Sequence, residues 1–168
     1  MWRQTTTQDA AGGHEAFSIG IDGFIWSYLV DAQAVKDGRL KSTGLKANSF
    51  ALARTVDGAT LLIGTDGLSM HYVLETDDGG NRWSAPCAMH FPGEIDVLAI
   101  EQIFVQSIRG NLFLGVQSRH LDEQGNDVYR FWDAVWAGGG FVFCNKPVLL
   151  EHRFTIWRQH VSSRPMSL

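Results

Sequence analysis

The chain has 168 residues, of which 45% are hydrophobic and 19% are charged, and its formal net charge is −4. This length and hydrophobicity exclude a largely disordered protein and predict a single domain with a buried core. The small negative charge and the absence of a long apolar run argue against nucleic-acid binding and against a membrane span, so we expect neither kind of partner.

The chain divides into three predicted parts. Residues 1–15 are polar and are predicted to form a flexible N-terminal arm, residues 16–160 a single β domain, and residues 161–168 a C-terminal tail. Residues 1–7 lack the apolar segment of a secretory signal, so we expect a cytoplasmic location. The best helix-like stretch is Asp31–Leu40, and we expect at most one or two short helices.

Apolar segments separated by glycine-containing turns recur three times along the chain. Gly23, Gly58 and Gly110 each stand between two short segments rich in aliphatic and aromatic residues, a pattern typical of β-hairpins. The spacings of these glycines are unequal but fall in the range of propeller blades. We therefore predict an all-β domain of about three β-propeller-like blades of antiparallel strands, with a β-sandwich as the alternative.

The middle copy ends in a segment that resembles a known repeat. Thr76, Asp78, Gly80 and Trp83 match the pattern of the Asp-box, the BNR repeat of sialidase-like β-propellers, and Arg82 stands where that pattern has threonine. The resemblance implies a hairpin between the outer strands of a blade, away from any active site. We expect structural roles for the four matching residues: hydrogen bonds from the turn to the carboxylate, a positive φ at the glycine, and an indole that covers the hairpin.

Candidate catalytic residues are few. A sialidase-like enzyme would need several arginines around a substrate carboxylate, because guanidinium groups pair with carboxylates through two hydrogen bonds. Arg54 lies near the end of a predicted inner strand, but the aligned positions Ile19 and Gln106 supply no second arginine. We therefore predict a protein without catalytic residues, and a glycosidase or a subunit of one remains the alternative.

The six histidines and two cysteines show no spacing typical of a metal site. We therefore predict no metal and no cofactor, and we interpret the histidines as surface or strand-end residues. Cys87 and Cys144 are interpreted as buried, reduced thiols, because a lone pair of cysteines in a chain without an export signal is usually reduced.

Aromatic side chains are the remaining candidates for binding. Trp26 and Tyr28 alternate on one face of a predicted strand, and Tyr129 and Trp132 occupy opposite faces of another. Exposed aromatic side chains next to Arg or Asp bind sugars or form hot spots of protein interfaces. Together with Arg54, these four residues are our candidate ligand-binding residues.

These patterns favour a non-catalytic binding module that recognises a protein or a glycan through loops and exposed aromatic side chains. Closed propellers contain ~4–8 blades, so about three blades would leave sheet faces and strand edges uncovered. We therefore expect a homo-oligomer or a hetero-complex. A third possibility is an assembly or inhibitory protein that acts by occluding its partner.

Overall fold

The described part of the chain is built from β-strands. The computed structural model describes residues 5–8, 14–29, 40–78, 81–93, 96–144 and 146–150. The strands are β1 (Thr5–Gln8), β2 (His14–Ile19), β3 (Phe24–Leu29), β4 (Lys41–Lys46), β5 (Ser49–Arg54), β6 (Thr60–Thr65), β7 (Met70–Asp78), β8 (Asn81–Trp83), β9 (Cys87–Met89), β10 (Ala99–Ile108), β11 (Asn111–Leu121), β12 (Asp127–Trp136), β13 (Phe141–Phe143) and β14 (Val148–Leu150). The predicted all-β class is confirmed. Apart from Leu40, the helix-like stretch lies outside the described residues.

The strands form three antiparallel sheets. The first has the order β1-β2-β3-β4, the second β5-β6-β7-β8 with β9 also paired to β7, and the third β10-β11-β12-β13 with β14 also paired to β12. Successive strands along the chain are therefore neighbours in each sheet, as expected for connected hairpins. Three sheets agree with three predicted units, and their identity as propeller blades stays a prediction. No helix in the described residues is long and apolar enough to cross a membrane.

The middle sheet is covered on both faces. Leu61 and Ile63 of β6 pack into the core shared with the third sheet, whereas Leu62 between them packs into the core shared with the first sheet. Every residue of β6 is buried. This explains the consecutive apolar residues Leu61, Leu62 and Ile63 at its centre, because a strand covered on both faces buries both alternating sets of side chains.

The first unit is displaced by one hairpin from its predicted alignment. Gly58 and Gly110 lie between the first and second strands of their sheets, whereas Gly23 lies between β2 and β3, the second and third strands of the first sheet. The first strand of that sheet is β1, which pairs with β2 inside the predicted arm. Thr5–Gln8 therefore belong to the sheet, and the predicted arm is wrong at these residues. Their polar sequence lacks the apolar alternation that would identify a strand.

Both cysteines are free and exposed, so the interpretation of buried thiols is wrong. Cys87 opens β9, a three-residue strand that pairs with β7 alone in the described chain, and Cys144 directly follows the short strand β13. Short strands at the side of a sheet bury few of their side chains, which explains the exposure.

Candidate binding site

The candidate aromatic residues lie on separate surfaces. Trp26 and Tyr28 are half-buried on the outward face of the first sheet, opposite the face that enters the core. The Trp26 Nε1–H donates a hydrogen bond to the Asp22 carboxylate at 3.2 Å. Tyr129 is half-buried on the outward face of the third sheet, and Arg54 is exposed at the end of β5. The structure therefore does not gather these predicted residues into one site.

Trp132 lies in the core and not on the surface. Its side chain is 1% exposed and packs against Phe91, with the ring centroids 4.8 Å apart. Its Nε1–H donates a hydrogen bond to the Ser118 hydroxyl at 2.9 Å. The prediction that Trp132 contacts a ligand is wrong, because β12 carries aromatic residues on both faces and the face with Trp132 turns towards the middle sheet.

A buried polar chain continues from Trp132 to the segment before β10. His120 Nε2 lies 2.7 Å from the Ser118 hydroxyl, and His120 Nδ1 lies 2.9 Å from the carbonyl oxygen of Asp96. A carbonyl can only accept, so Nδ1 carries the proton and neutral Nε2 accepts from the serine. His120 is the last residue but one of β11 and is 3% exposed, so it is a strand-end histidine, as interpreted, that is buried and not on the surface. Burial, with a contribution from the charge of Arg130, lowers the pKa of His120 despite the opposing hydrogen bond to Asp96.

This histidine gives the protein a predicted sensitivity to acid. Because the pKa of His120 is lower in the folded protein than its usual 6.5, the unfolded chain binds the proton more tightly. The stabilisation from neutral His120 is therefore complete above about pH 6.5 and is lost as the pH falls through the lowered pKa. We expect urea unfolding to show a smaller loss of stability between neutral and mildly acidic pH in His120→Gln than in the natural chain. Equal losses would contradict this assignment.

A second polar network joins the first sheet to the middle sheet. The Arg82 guanidinium forms a two-bond ion pair with the carboxylate of Glu15 and a second ion pair with Glu75, whose oxygen lies 2.8 Å from Arg82 Nη2. Glu15 is 2% exposed. Burial opposes the charge on Arg82, but the hydrogen bonds that Arg82 donates to Glu15 and Glu75 outweigh it and raise the pKa of Arg82. Arg82 therefore neutralises a buried carboxylate, which explains an arginine at this position.

The segment that resembles an Asp-box forms a hairpin. β7 and β8 pair on either side of residues 79–80, with Asp78 opposite Asn81, and they are the third and fourth strands of the middle sheet. Thr76 is half-buried in β7, and Trp83 is 8% exposed with its ring edge-on to Phe17 at 5.9 Å. Gly80 lies outside the described residues. These placements are those of packing residues, and the structural roles of all four stay a prediction.

A cleft of about 480 Å³ opens between the second and third sheets. Three turns border it: the turn after β5, the turn after β10 and the turn after β12. Leu74, Leu112 and Trp136 give the cleft an apolar lining, and Asp57 and Asn111 add polar groups. No local sequence pattern predicts this cleft, because its residues come from strands that meet only after the sheets have stacked.

An aromatic cluster holds Trp136 in place at the cleft. The Trp136 ring lies edge-on to Tyr72 at 5.5 Å and to Phe141 at 5.1 Å. The Tyr72 hydroxyl donates a hydrogen bond to the carbonyl oxygen of Gly139 at 2.8 Å, which fixes the neighbouring turn. Burial, followed by the nearby Cys87 thiol, raises the pKa of Tyr72, so the hydroxyl keeps the proton that it donates.

The turn after β5 is also well ordered by hydrogen bonds. The backbone N–H and the hydroxyl of Thr55 both donate to the carbonyl oxygen of Ala59, at 2.9 and 3.1 Å. Between these residues, Val56 lines the cleft and is 86% exposed. Val56 and Trp136 therefore offer an apolar contact surface at the cleft. Because the turn is already held by hydrogen bonds, little conformational entropy is lost when a ligand binds there.

Comparisons with known proteins do not assign the chain to a family. No protein-family model matches it, and no curated protein matches it. Within the part of the chain that the structure describes, no group of three His, Cys, Asp or Glu side chains is placed to hold a metal ion.

Proposed function

We propose that this protein is a non-catalytic binding module that recognises a protein partner through the cleft between its second and third sheets. The observation that carries the proposal is the position of Val56, an exposed aliphatic side chain on a hydrogen-bonded turn at an apolar cleft lined by Trp136. Protein interfaces concentrate their binding energy where an anchor side chain enters such a pocket. The expected occupant is an apolar or aromatic side chain of the partner.

The lining favours a protein over a glycan. Sugar hydroxyls require hydrogen-bonding groups, whereas Val56 and Leu74 offer aliphatic surface. Trp136 could stack on a sugar ring or on an apolar side chain, so it does not separate the two classes. Two accessible aliphatic residues near one indole suit an apolar anchor better, and glycan binding becomes an outcome of the test below.

The sialidase-like alternative has less support from the arrangement of the arginines. Arg82 is engaged by Glu15 and Glu75, and the Arg119 guanidinium pairs with Glu101 at 3.0 Å and with Asp127 at 3.4 Å. A substrate carboxylate would have to compete with these carboxylates. A fluorogenic sialoside that the protein hydrolyses, with turnover lost in Arg54→Ala, would favour the enzyme.

The exposed valine allows a direct test of the cleft. Peptides are first selected from a displayed random library for binding to the natural chain. We expect them to bind Val56→Asp at least about tenfold more weakly than the natural chain, because the new carboxylate would contact the apolar anchor of the peptide. Ile21→Asp is the matched control: Ile21 is a fully exposed β-branched residue in the turn between β2 and β3, far along the chain from the cleft residues. Binding should be measured by titration calorimetry.

Two results would contradict the proposal. One is equal binding of selected peptides to the natural chain and to Val56→Asp. The other is binding on a glycan array, with no peptide enriched, that is lost in Val56→Asp. Because Val56 is exposed, the substitution should leave the melting temperature unchanged, which separates lost binding from lost folding.

Association with a further chain is also part of the proposal. The outward faces of the first and third sheets carry Trp26, Tyr28 and Tyr129, and aromatic side chains on such faces favour a homo-oligomer or a hetero-complex. Light scattering should give a multiple of the mass of one chain, or of the complex with the partner. This expectation would be contradicted if light scattering gave the mass of one chain for the protein alone and again for the protein mixed with its partner. A cytoplasmic location stays a prediction.

A further inference from the structure

We infer that Arg109 is a partner-contacting residue beside the cleft, and that the partner carries an acidic residue next to the side chain that enters the cleft. This inference rests on the proposed function and names the partner's chemistry: an acidic peptide segment with an apolar anchor. It is carried by the backbone of the turn after β10 and by the charges on the two sides of the cleft.

The turn that holds Arg109 has a conformation that suits glycine or asparagine. Ile108 and Asn111 pair across a two-residue hairpin, and the two residues between them have φ of +51° at Arg109 and +81° at Gly110. A hairpin turn with positive φ at both central residues is of the type that favours Asn-Gly, Asp-Gly or Gly-Gly. Among the described residues, Arg109 is the only non-glycine residue with positive φ.

An arginine in this conformation is strained. The left-handed region brings Cβ too close to the following carbonyl oxygen, and the long side chain does nothing to relieve the contact. Residues held in such conformations concentrate at functional sites, where the side chain serves a purpose other than local folding. Arg109 is exposed, so its guanidinium is accessible to a partner.

The position of the turn places this side chain beside the cleft. Gly110 and Asn111, which directly follow Arg109, both line the cleft on the side of the third sheet. The space around position 110 is open, since a Cβ there would meet nothing within 4 Å, and glycine is favoured by its φ of +81°. The side chain of Arg109 therefore leaves the backbone at the edge of the cleft that is formed by the third sheet.

The opposite edge carries the opposite charge. Asp57 lines the cleft from the turn after β5, which belongs to the second sheet. The Asp57 carboxylate thus lines one side of the cleft, and the turn from which the exposed Arg109 side chain extends borders the other side. A partner segment is oriented by this pair: its acidic residue faces Arg109, where a two-bond carboxylate pair can form, and a hydrogen-bond donor or basic group faces Asp57.

The test uses the full-length chain and a displayed library of random peptides. Enriched peptides are expected to contain Asp or Glu beside an apolar or aromatic residue. They should bind Arg109→Asn about tenfold more weakly, and more weakly at high salt. The same variant should melt about 2 °C higher, because asparagine tolerates the positive φ. Lys46→Asn is the matched control, since it removes an exposed positive charge from the first sheet.

The outcomes separate this inference from the proposed function. One outcome would overturn the role of Arg109 and leave the cleft as the binding site. In it, the selected peptides need Val56 for binding, but they contain no preferred Asp or Glu and bind Arg109→Asn as tightly as the natural chain. Selection without any peptide that depends on Val56 would overturn the proposed function and this inference with it. A lower melting temperature of Arg109→Asn would show that Arg109 serves folding, which also contradicts the inference.

Discussion

Replacing Arg82 with threonine is expected to destabilise the protein by about 3 kcal/mol, although threonine is the residue that the Asp-box pattern has at this position. The substitution removes the cation that pairs with Glu15, a carboxylate that is 2% exposed between the first and middle sheets. A buried charge that loses its partner keeps its full desolvation penalty. The hydrogen bond from Arg82 Nε to Glu75, at 2.9 Å, is lost as well.

Urea unfolding of Arg82→Thr measures this effect. The double variant Arg82→Thr/Glu15→Gln should recover part of the loss, since the buried group is then neutral. Arg119→Thr is the matched control: Arg119 also pairs with two carboxylates, but its own side chain is 34% exposed and that of Asp127 is 47% exposed. Solvent screens pairs at the surface, so we expect a much smaller loss of stability than in Arg82→Thr. Similar losses in Arg82→Thr and Arg119→Thr would contradict the account of the Glu15 network.

Truncation of Trp132 to alanine is expected to destabilise the protein by about 3–5 kcal/mol. The indole is 1% exposed in the core between the second and third sheets and packs against Phe91, so its removal leaves a cavity. Trp132→Phe keeps most of the volume and loses the hydrogen bond to Ser118, and we expect about 1–2 kcal/mol for it.

The matched control for this prediction is Trp26→Ala. Trp26 is half-buried on the outward face of the first sheet, so less apolar area and no enclosed cavity are involved, and the loss of stability should be smaller. All three variants are compared by urea unfolding at one pH. A loss in Trp132→Ala no larger than that in Trp26→Ala would show that Trp132 is not part of the core.

The features that the sequence predicts correctly are those with a local cause. Glycine-containing turns between short apolar segments predict antiparallel hairpins, and these occur at Gly23, Gly58 and Gly110 as expected. The three consecutive apolar residues at the centre of β6 agree with burial on both faces. The pattern of two apolar segments around a glycine turn recurs three times, and this recurrence predicts the three sheets that are observed.

The features that the sequence does not predict arise from long-range packing. The polar strand β1 forms only because β2 lies beside it. Arg82 and Glu15 are 67 residues apart, so no local pattern joins them. Trp132 is in the core because its face of β12 packs against the middle sheet, and the sequence of β12 alone does not show which face that is. The signal that could have pointed to the cleft is the arginine at position 109, in a two-residue turn before glycine where asparagine is usual.

The binding site is tested most directly by amide NMR of the full-length chain, titrated with the tightest-binding peptide from the library selection. We predict the largest shift changes at residues 55–57, 110–112 and 136–139, which border the cleft. Shift changes centred instead on Trp26 and Tyr28, or on Tyr129, would place the binding surface on an outward sheet face and would contradict the proposal that this cleft binds the partner.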